Sequence, residues 1–113
     1  MNEEFLINSY LKELTKNNPS SLNLNDDVFF DKIKKLVISV DTYNEGIHFL
    51  NFNKPDLVIR KIIRSSISDI YAKGVKPNYF FLAGSGNKKH FTKKNMSLIN
   101  KSLSNEQNRF NIK

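Results

Sequence analysis

The segment from Pro55 to Gly74 is the feature that most constrains what this chain can fold into. Its apolar side chains, mostly isoleucines between Leu57 and Ile70, recur at helical spacing. Proline favours the first position of a helix and glycine favours the position just past its end, so Pro55 and Gly74 mark both boundaries. The sequence therefore predicts a long amphipathic helix with one face against a neighbouring layer.

Two further helices are predicted, one on each side of this segment. Residues 3–16 place apolar side chains near helical spacing, with Glu3 and Glu4 in the first turn. Thr92 is a suitable N-cap for a last helix, because its hydroxyl can accept from the backbone. That last helix is expected to bury Met96, Ile99 and Leu103.

Extended segments are predicted between the helices. A short apolar run covers Val28 to Phe30, and alternation of apolar residues predicts a strand from Lys35 to Asp41. Further extended chain is expected at 47–50 and 77–83, and the polar tail 105–113 resembles the start of another strand. The order α-β-β-(β)-α-β-α is an α+β pattern with helices on one face of a sheet, and 113 residues suit one domain.

Composition excludes several classes of site. The chain has no cysteine, which excludes disulfides, thiolate zinc sites and cysteine nucleophiles. Its two histidines, His48 and His90, are far apart in sequence, which argues against a histidine metal site. The acidic N-terminus does not resemble a signal peptide, and no apolar run approaches the ~20 residues of a membrane span. We therefore expect a cytoplasmic protein without a membrane partner.

The net charge of +7 is unevenly distributed. Residues 1–53 carry five Lys or Arg against eight Asp or Glu, whereas residues 54–113 carry thirteen against three. Fifteen of the eighteen basic residues are lysine, while selected phosphate-binding surfaces favour the bidentate fork of arginine. This pattern favours a solvated basic surface over a nucleic-acid partner.

Aspartates at the ends of predicted elements are candidates for chemistry. Asp26 and Asp27 precede a strand, Asp41 closes the next one, and Asp69 lies on a polar stripe of the central helix. Three carboxylates within ~5 Å would repel by about 3 kcal/mol per pair at an effective dielectric near 20, so a cation would be needed. Oxygen-only ligands favour magnesium. Alternatively, Asp26 is a turn residue, Asp41 a strand-end residue and Asp69 a solvent-facing helix residue.

Three segments resemble successive motifs of the thiamine-monophosphate kinases. The family motifs read approximately G-D-D, S-T-D-x-x-x-x-G-x-H-F and L-S-D-x-A-A-M-G-A-x-P. The corresponding segments here are Asn25-Asp26-Asp27, residues 37–49 (VISVDTYNEGIHF) and residues 67–77 (ISDIYAKGVKP). Their order and spacing agree, and the resemblance runs from about residue 3 to residue 87. The wider superfamily includes aminoimidazole ribonucleotide synthetase, and the Gly-x-His-Phe segment points to the thiamine branch.

The resemblance implies a fold, a reaction and a partner. It implies a ferredoxin-like N-terminal domain that binds ATP and Mg²⁺ and forms a homodimer in the full-length enzyme. The reaction would be the ATP-dependent phosphorylation of thiamine monophosphate to thiamine diphosphate. Because the acceptor is already an ionised phosphate, alignment and charge neutralisation matter more than a general base, and no catalytic residue is assigned beyond the metal ligands.

The resemblance also implies individual site residues. Metal ligands would be Asp27, Asp41 and Asp69, with oxygens added by the Ser39 side chain and the Val40 carbonyl. His48 would contact the thiamine phosphate, although a packed core histidine is the alternative reading of this position. Two neighbouring residues are further candidates: Asp26 and Thr42.

The chain departs from the family pattern at several positions. Asn23 and Asn25 replace glycines, Val40 replaces the threonine of S-T-D, and residues 71–73 read Tyr-Ala-Lys where the family has Ala-Ala-Met. A later Gly-Gly-Asp-Thr motif and a C-terminal domain are not present in the 113 residues. We therefore expect a truncated domain over residues 1–113, without useful kinase activity by itself.

Other functions remain open from the sequence. One is another ATP-binding enzyme of the same superfamily, such as a purine-synthesis amidine ligase. The other is a non-catalytic basic domain that binds RNA on the aromatic segment Tyr79-Phe80-Phe81. The loop from Gly84 to Lys89 lacks the spacing of known phosphate-binding loops and is read as an ordinary loop.

Overall fold

Two long helices and a short hairpin are the main regular elements of the computed structural model, which describes all 113 residues. The N-terminal segment winds through a short helix α1, a π-helical turn and two 3₁₀ segments before the hairpin is reached. In chain order the elements are α1 (Glu3–Leu6), the π-helical turn (Ile7–Leu11), the 3₁₀ segments (Lys12–Thr15 and Pro19–Leu24), β1 (Phe29–Asp31), β2 (Leu36–Ile38), α2 (Pro55–Tyr71) and α3 (Lys93–Phe110).

The predicted boundaries of α2 and the predicted start of α3 are confirmed. Pro55 is the first residue of α2, and Gly74 has a φ of +72° where the chain turns away after the helix. The Gly74 N–H donates to the Tyr71 carbonyl at 2.9 Å, which satisfies one of the last carbonyls of the helix. Thr92 caps α3, since its Oγ1 accepts from the backbone N–H of Asn95 at 3.2 Å.

The core lies between α2 and α3. Its five buried apolar residues are Ile59, Ile63, Ile67, Ile99 and Ile112. The two helices run in the same direction. Ser102 in the middle of α3 contacts Asp56 at the start of α2, and Glu106, one turn later in α3, contacts Arg64 further along α2. Neither helix is long and apolar enough to span a membrane.

The sheet is smaller than predicted. β1 and β2 form an antiparallel pair in which Phe30 lies opposite Val37. The strand expected over 35–41 is thus restricted to three residues, because Val40 lies beyond the end of β1 and is 84% exposed. Together with the helices, this small sheet agrees with the predicted α+β class.

Two other segments that were predicted as extended chain, 47–50 and 77–83, do not form strands. Residues 44–48 form a turn, with a single bridge between Glu45 and Phe49. Residues 77–83 are joined to other extended chain only where the Phe80 N–H donates to Lys113 and the Lys113 N–H donates to Asn78, at 3.0 and 2.9 Å. A strand needs a neighbouring strand for its hydrogen bonds, and most of these residues have none.

Three helix predictions were wrong in detail. The N-terminal helix is α-helical only over Glu3–Leu6, and it buries no residue. Met96 of α3 is 46% exposed, whereas Ile99 is buried. The tail expected after residue 104 continues α3 to Phe110; Asn111 then adopts a left-handed conformation and places Ile112 in the core at 3% exposure.

Candidate active site

The second half of α2 meets the segment that follows β2. The Ser39 hydroxyl donates to Oδ2 of Asp69 at 3.2 Å. Ser39 continues from the last residue of β2, and Asp69 lies in the last turn of α2. Both side chains are half-buried. Two of the three motif segments are therefore in direct contact. The contact is made by Ser39 and Asp69, which the resemblance predicts as metal ligands.

Tyr43 links the same two segments a second time. Its hydroxyl donates to Oδ2 of Asp41 at 3.4 Å and lies 3.2 Å from the Ser66 hydroxyl of α2. Burial raises the pKa of Tyr43 above its ordinary value, the Asp41 carboxylate raises it further, and the hydrogen bond with Ser66 opposes the shift. The phenol stays protonated at neutral pH and can serve as a donor to Asp41.

The first motif segment is tied to the end of α2 by an ion pair. The Lys73 ammonium donates to Oδ2 of Asp26, and this hydrogen bond lowers the pKa of Asp26. Asp26 and Asp27 also line a depression of about 290 Å³, together with Glu3 and Glu4 of α1. Asp27 itself is exposed and makes no ion pair. The structure therefore places Asp27 beside the glutamates of α1.

His48 is oriented by a tight turn. Gly46 has a φ of +80°, which favours glycine, and the turn folds the imidazole back so that Nδ1 accepts from the Asn44 N–H at 2.7 Å. In the neutral ring this leaves Nε2 as the donor, with no partner in the chain. The ring packs edge-on against Tyr43, with centroids 5.5 Å apart. His48 is thus half-buried, with one N–H left for a ligand.

His90 is brought to the same turn from the loop before α3. Its Nε2 lies 3.3 Å from Oε2 of Glu45, and its Nδ1 accepts from the Asn87 N–H at 3.1 Å. The ring also packs edge-on against Phe52, with centroids 5.7 Å apart. Two regions that are distant in sequence are connected by this contact.

The donors present fit a hard divalent cation, but they do not form a closed protein cage. No group of three or more acidic or histidine side chains lies close enough to share one ion, so Asp27, Asp41 and Asp69 do not converge. Mg²⁺ is commonly held by only one or two carboxylates together with phosphate oxygens and water. Asp41 and Asp69 belong to the two segments that the Ser39–Asp69 contact joins, so each segment can supply one carboxylate to such a site. Val40 and Thr42 flank Asp41 and are exposed.

The sequence patterns do not predict a role for Tyr43, Ser66 or Lys73. Tyr43 occupies a variable position of its motif, and its hydroxyl partner Ser66 is twenty-three residues away. The only sequence feature that pointed to Ser66 was the polar stripe of α2, which also contains Asp69. In the sequence, Lys73 stands out only as a charged residue where the family motif has methionine.

Comparisons with known proteins confirm the resemblance to thiamine-monophosphate kinases. The enzyme of that name from Caulobacter vibrioides is 38% identical over 76 residues, which are 65% of this chain and 22% of that protein. The enzyme from Aquifex aeolicus is 38% identical over 50 residues, or 44% and 16% of the two chains. The enzyme from Buchnera aphidicola subsp. Schizaphis graminum is 34% identical over 86 residues, or 73% and 27%.

The family assignment comes from a longer match. The relatives above are matched over at most 27% of their own length. No solved structure matches the chain. Residues 25–113, which include all three motif segments, match the family model described as AIR synthase related protein, N-terminal domain. The chain therefore belongs to the AIR synthase related protein family, through its N-terminal domain.

Proposed function

We propose that this chain carries the metal- and phosphate-binding part of a kinase that transfers phosphate from ATP to thiamine monophosphate. The observation that carries the proposal is the junction of the segment 39–43 with α2. There Ser39 contacts Asp69 and Tyr43 contacts both Asp41 and Ser66. The names of the relatives from three bacteria support the choice of substrate.

Each residue of the junction has a distinct role in this proposal. Asp41 and Asp69 would hold Mg²⁺ together with phosphate oxygens of ATP, and the Val40 carbonyl would add a further oxygen. When bound, the ion supplies charge neutralisation for the phosphates. Ser39 orients the Asp69 carboxylate, and Tyr43 holds the Asp41 segment against α2. Hydroxyl donors of this kind fix carboxylates in place without adding negative charge.

The remaining site residues contribute to binding. His48 would donate from Nε2 to the phosphate of thiamine monophosphate, since its other nitrogen is already occupied by Asn44. Asp26 and Asp27 would lie at the edge of the site, with Asp26 held by Lys73. Because the acceptor is an ionised phosphate, the proposed chemistry requires positioning rather than a strong base.

Self-association is part of the proposal. The segments outside the two long helices expose large apolar side chains. Five of these side chains are at least 71% exposed: Val40, Ile47, Leu50, Tyr79 and Phe81. Exposed apolar surface of this kind commonly marks an interface. Pairing with a second copy would give residues 39–43 and 77–83 the strand neighbours that a ferredoxin-like sheet requires.

Manganese binding tests the metal assignment. We expect the wild-type chain to bind Mn²⁺ at about millimolar concentrations, because phosphate oxygens would normally complete the shell. The double variant Asp41→Asn, Asp69→Asn should lose this binding in a water-proton relaxation titration. The control variant Glu13→Gln, Asp56→Asn removes the same charge away from the junction and should bind as the wild type does. Equal binding by all three proteins would refute the assignment.

A further inference from the structure

The solvent side of α2 and α3 carries a groove that the proposed reaction does not use. It has a volume of about 440 Å³ and runs between the two helices. Four of its lining residues are cationic: Arg60, Arg64, Lys101 and Arg109. Asp56 and Glu106 are the two acidic residues in the lining, which leaves a net charge of +2.

The distribution of arginine singles out this groove. The chain has fifteen lysines and only three arginines, and all three arginines line the groove. Lysine is spread over the surface, where a compact ammonium is well solvated. Arginine differs because its planar fork binds phosphate oxygens in pairs. The concentration of every arginine at one place therefore sets this groove apart from the general basic surface.

The two helices present their cations as parallel rows. Arg60 and Arg64 are one turn apart on α2, while Lys101 and Arg109 lie on one face of α3 with Asn105 between them. Because α2 and α3 run in the same direction, the rows lie side by side. Lys101 and Arg109 begin about 12 Å apart along the helix axis, a spacing suited to an extended anion rather than to a single small ion.

Glu106, the buried acidic residue of the groove, is already paired with a cation. Arg64 donates from Nε and Nη2 to the two oxygens of Glu106 at 2.8 and 3.0 Å, and Glu106 is only 4% exposed. The Phe110 ring lies 5.7 and 5.8 Å from the guanidinium carbons of Arg64 and Arg109. Arg60, Lys101 and Arg109 form no ion pair within the chain. They are therefore free to bind an anion.

We infer that this groove binds an oligophosphate, a small molecule with two or more linked phosphate groups. Three unpaired cations in two rows match several phosphates better than one. The volume lies in the range of about 300–1,000 Å³ typical of small-molecule sites. Leu57 and Leu98 provide apolar surface for an attached organic group. This site is separate from the junction of Ser39, Asp41 and Asp69 and does not depend on the proposed kinase reaction.

The test is an NMR titration of the ¹⁵N-labelled chain in metal-free buffer containing EDTA. Inorganic tripolyphosphate should shift amides of α2 and α3 around the groove, and orthophosphate should bind more weakly. The variant Arg60→Gln, Arg109→Gln should weaken tripolyphosphate binding about tenfold or more. The control Lys32→Gln, Lys34→Gln removes the same charge from the turn between β1 and β2 and should bind within about twofold of wild type.

Two further arms define the ligand and separate this site from the proposed kinase site. ATP should compete with tripolyphosphate if the natural ligand is a nucleotide; failure of ATP to compete would assign the groove to inorganic oligophosphate. The variant Asp41→Asn, Asp69→Asn should bind tripolyphosphate normally. Equal losses in the groove and control variants would overturn the inference. It would also be overturned if tripolyphosphate left the groove amides unshifted while RNA shifted them with an affinity that rose with its length.

Discussion

Lys73 places a positive charge at the end of α2, beside the first motif segment. Its ammonium and the Asp26 carboxylate are both partly exposed, at 38% and 28%. A surface pair of this kind contributes little to stability, but it connects two segments that are forty-seven residues apart. The Lys73 ammonium thus orients the Asp26 carboxylate.

The ion pair between Lys73 and Asp26 should make the stability of the chain depend on pH. The hydrogen bond from Lys73 lowers the pKa of Asp26 below its ordinary value of 3.8. Its contribution is therefore present above pH 3.8 and is lost as the pH falls through the lower pKa of the folded chain. We expect Asp26→Asn to be slightly less stable than wild type at neutral pH and equally stable well below pH 3.8, as measured by denaturant unfolding.

The neighbouring aspartate provides the control for this experiment. Asp27→Asn removes a carboxylate from the same segment that makes no ion pair. Its stability difference from wild type should not follow the profile of Asp26→Asn. If both variants showed the same profile, the effect would come from the net charge of the segment rather than from Lys73.

The sequence predicted which residues belong to the candidate site better than it predicted their hydrogen-bond partners. Asp41, Asp69 and Ser39 were predicted from their motifs, and all three lie at the junction. Tyr43 and Ser66 were not predicted, because a hydrogen bond between residues twenty-three apart depends on how β2 and α2 are packed. Local patterns carry no information about that packing.

The pair of helices α2 and α3 is the element that holds the fold together. Ile63 of α2 is 4% exposed and belongs to the core with Ile67 and Ile99. Shortening a buried isoleucine to alanine removes apolar contacts and leaves a cavity. The stability of the whole chain therefore depends on this one interface.

The importance of this helix interface can be tested by comparing a buried isoleucine with an exposed one. Ile63→Ala should lower the free energy of unfolding by about 2–5 kcal/mol. Ile33→Ala removes the same atoms from a side chain that is 95% exposed and should change it by less than about 0.5 kcal/mol. Urea denaturation followed by circular dichroism at 222 nm measures both. Similar losses at the two positions would contradict the assigned core.

Helices were predicted more accurately than strands for a physical reason. Pro55, Gly74 and Thr92 act on their own local backbone, so the boundaries of α2 and the start of α3 can be seen in the sequence. The segment 77–83 has the composition of a strand, but a strand forms only when another segment accepts and donates its hydrogen bonds. The apolar residues of 77–83 favour extended backbone, but they do not reveal whether a partner strand lies beside it.

The molecule as a whole is a thin slab. Its extents are 47 × 35 × 19 Å, and its radius of gyration of 16.7 Å exceeds the roughly 13 Å expected for a compact domain of this length. Only 11 of 113 residues are buried. Most of the buried residues belong to α2 and α3, and most of the remaining chain is exposed.

Amide hydrogen exchange should divide the chain into two classes. Amides in the central turns of α2 and α3 should exchange slowly, whereas most amides between residues 81 and 86 should exchange fast because they have no backbone acceptor. Mass spectrometry of peptic fragments at low protein concentration measures this. Strong protection of 81–86 under dilute conditions would contradict the unpaired arrangement, and protection that appears only at high concentration would support self-association.

The attachment of Lys113 to the middle of the chain has a practical consequence for labelling. Its N–H and carbonyl both bond to the backbone around Tyr79, and the preceding Ile112 is anchored in the core. An affinity tag or a fluorophore placed after Lys113 would begin alongside that backbone and could disturb Ile112. Met1 is 85% exposed and is the better point of attachment for surface immobilisation or dye conjugation.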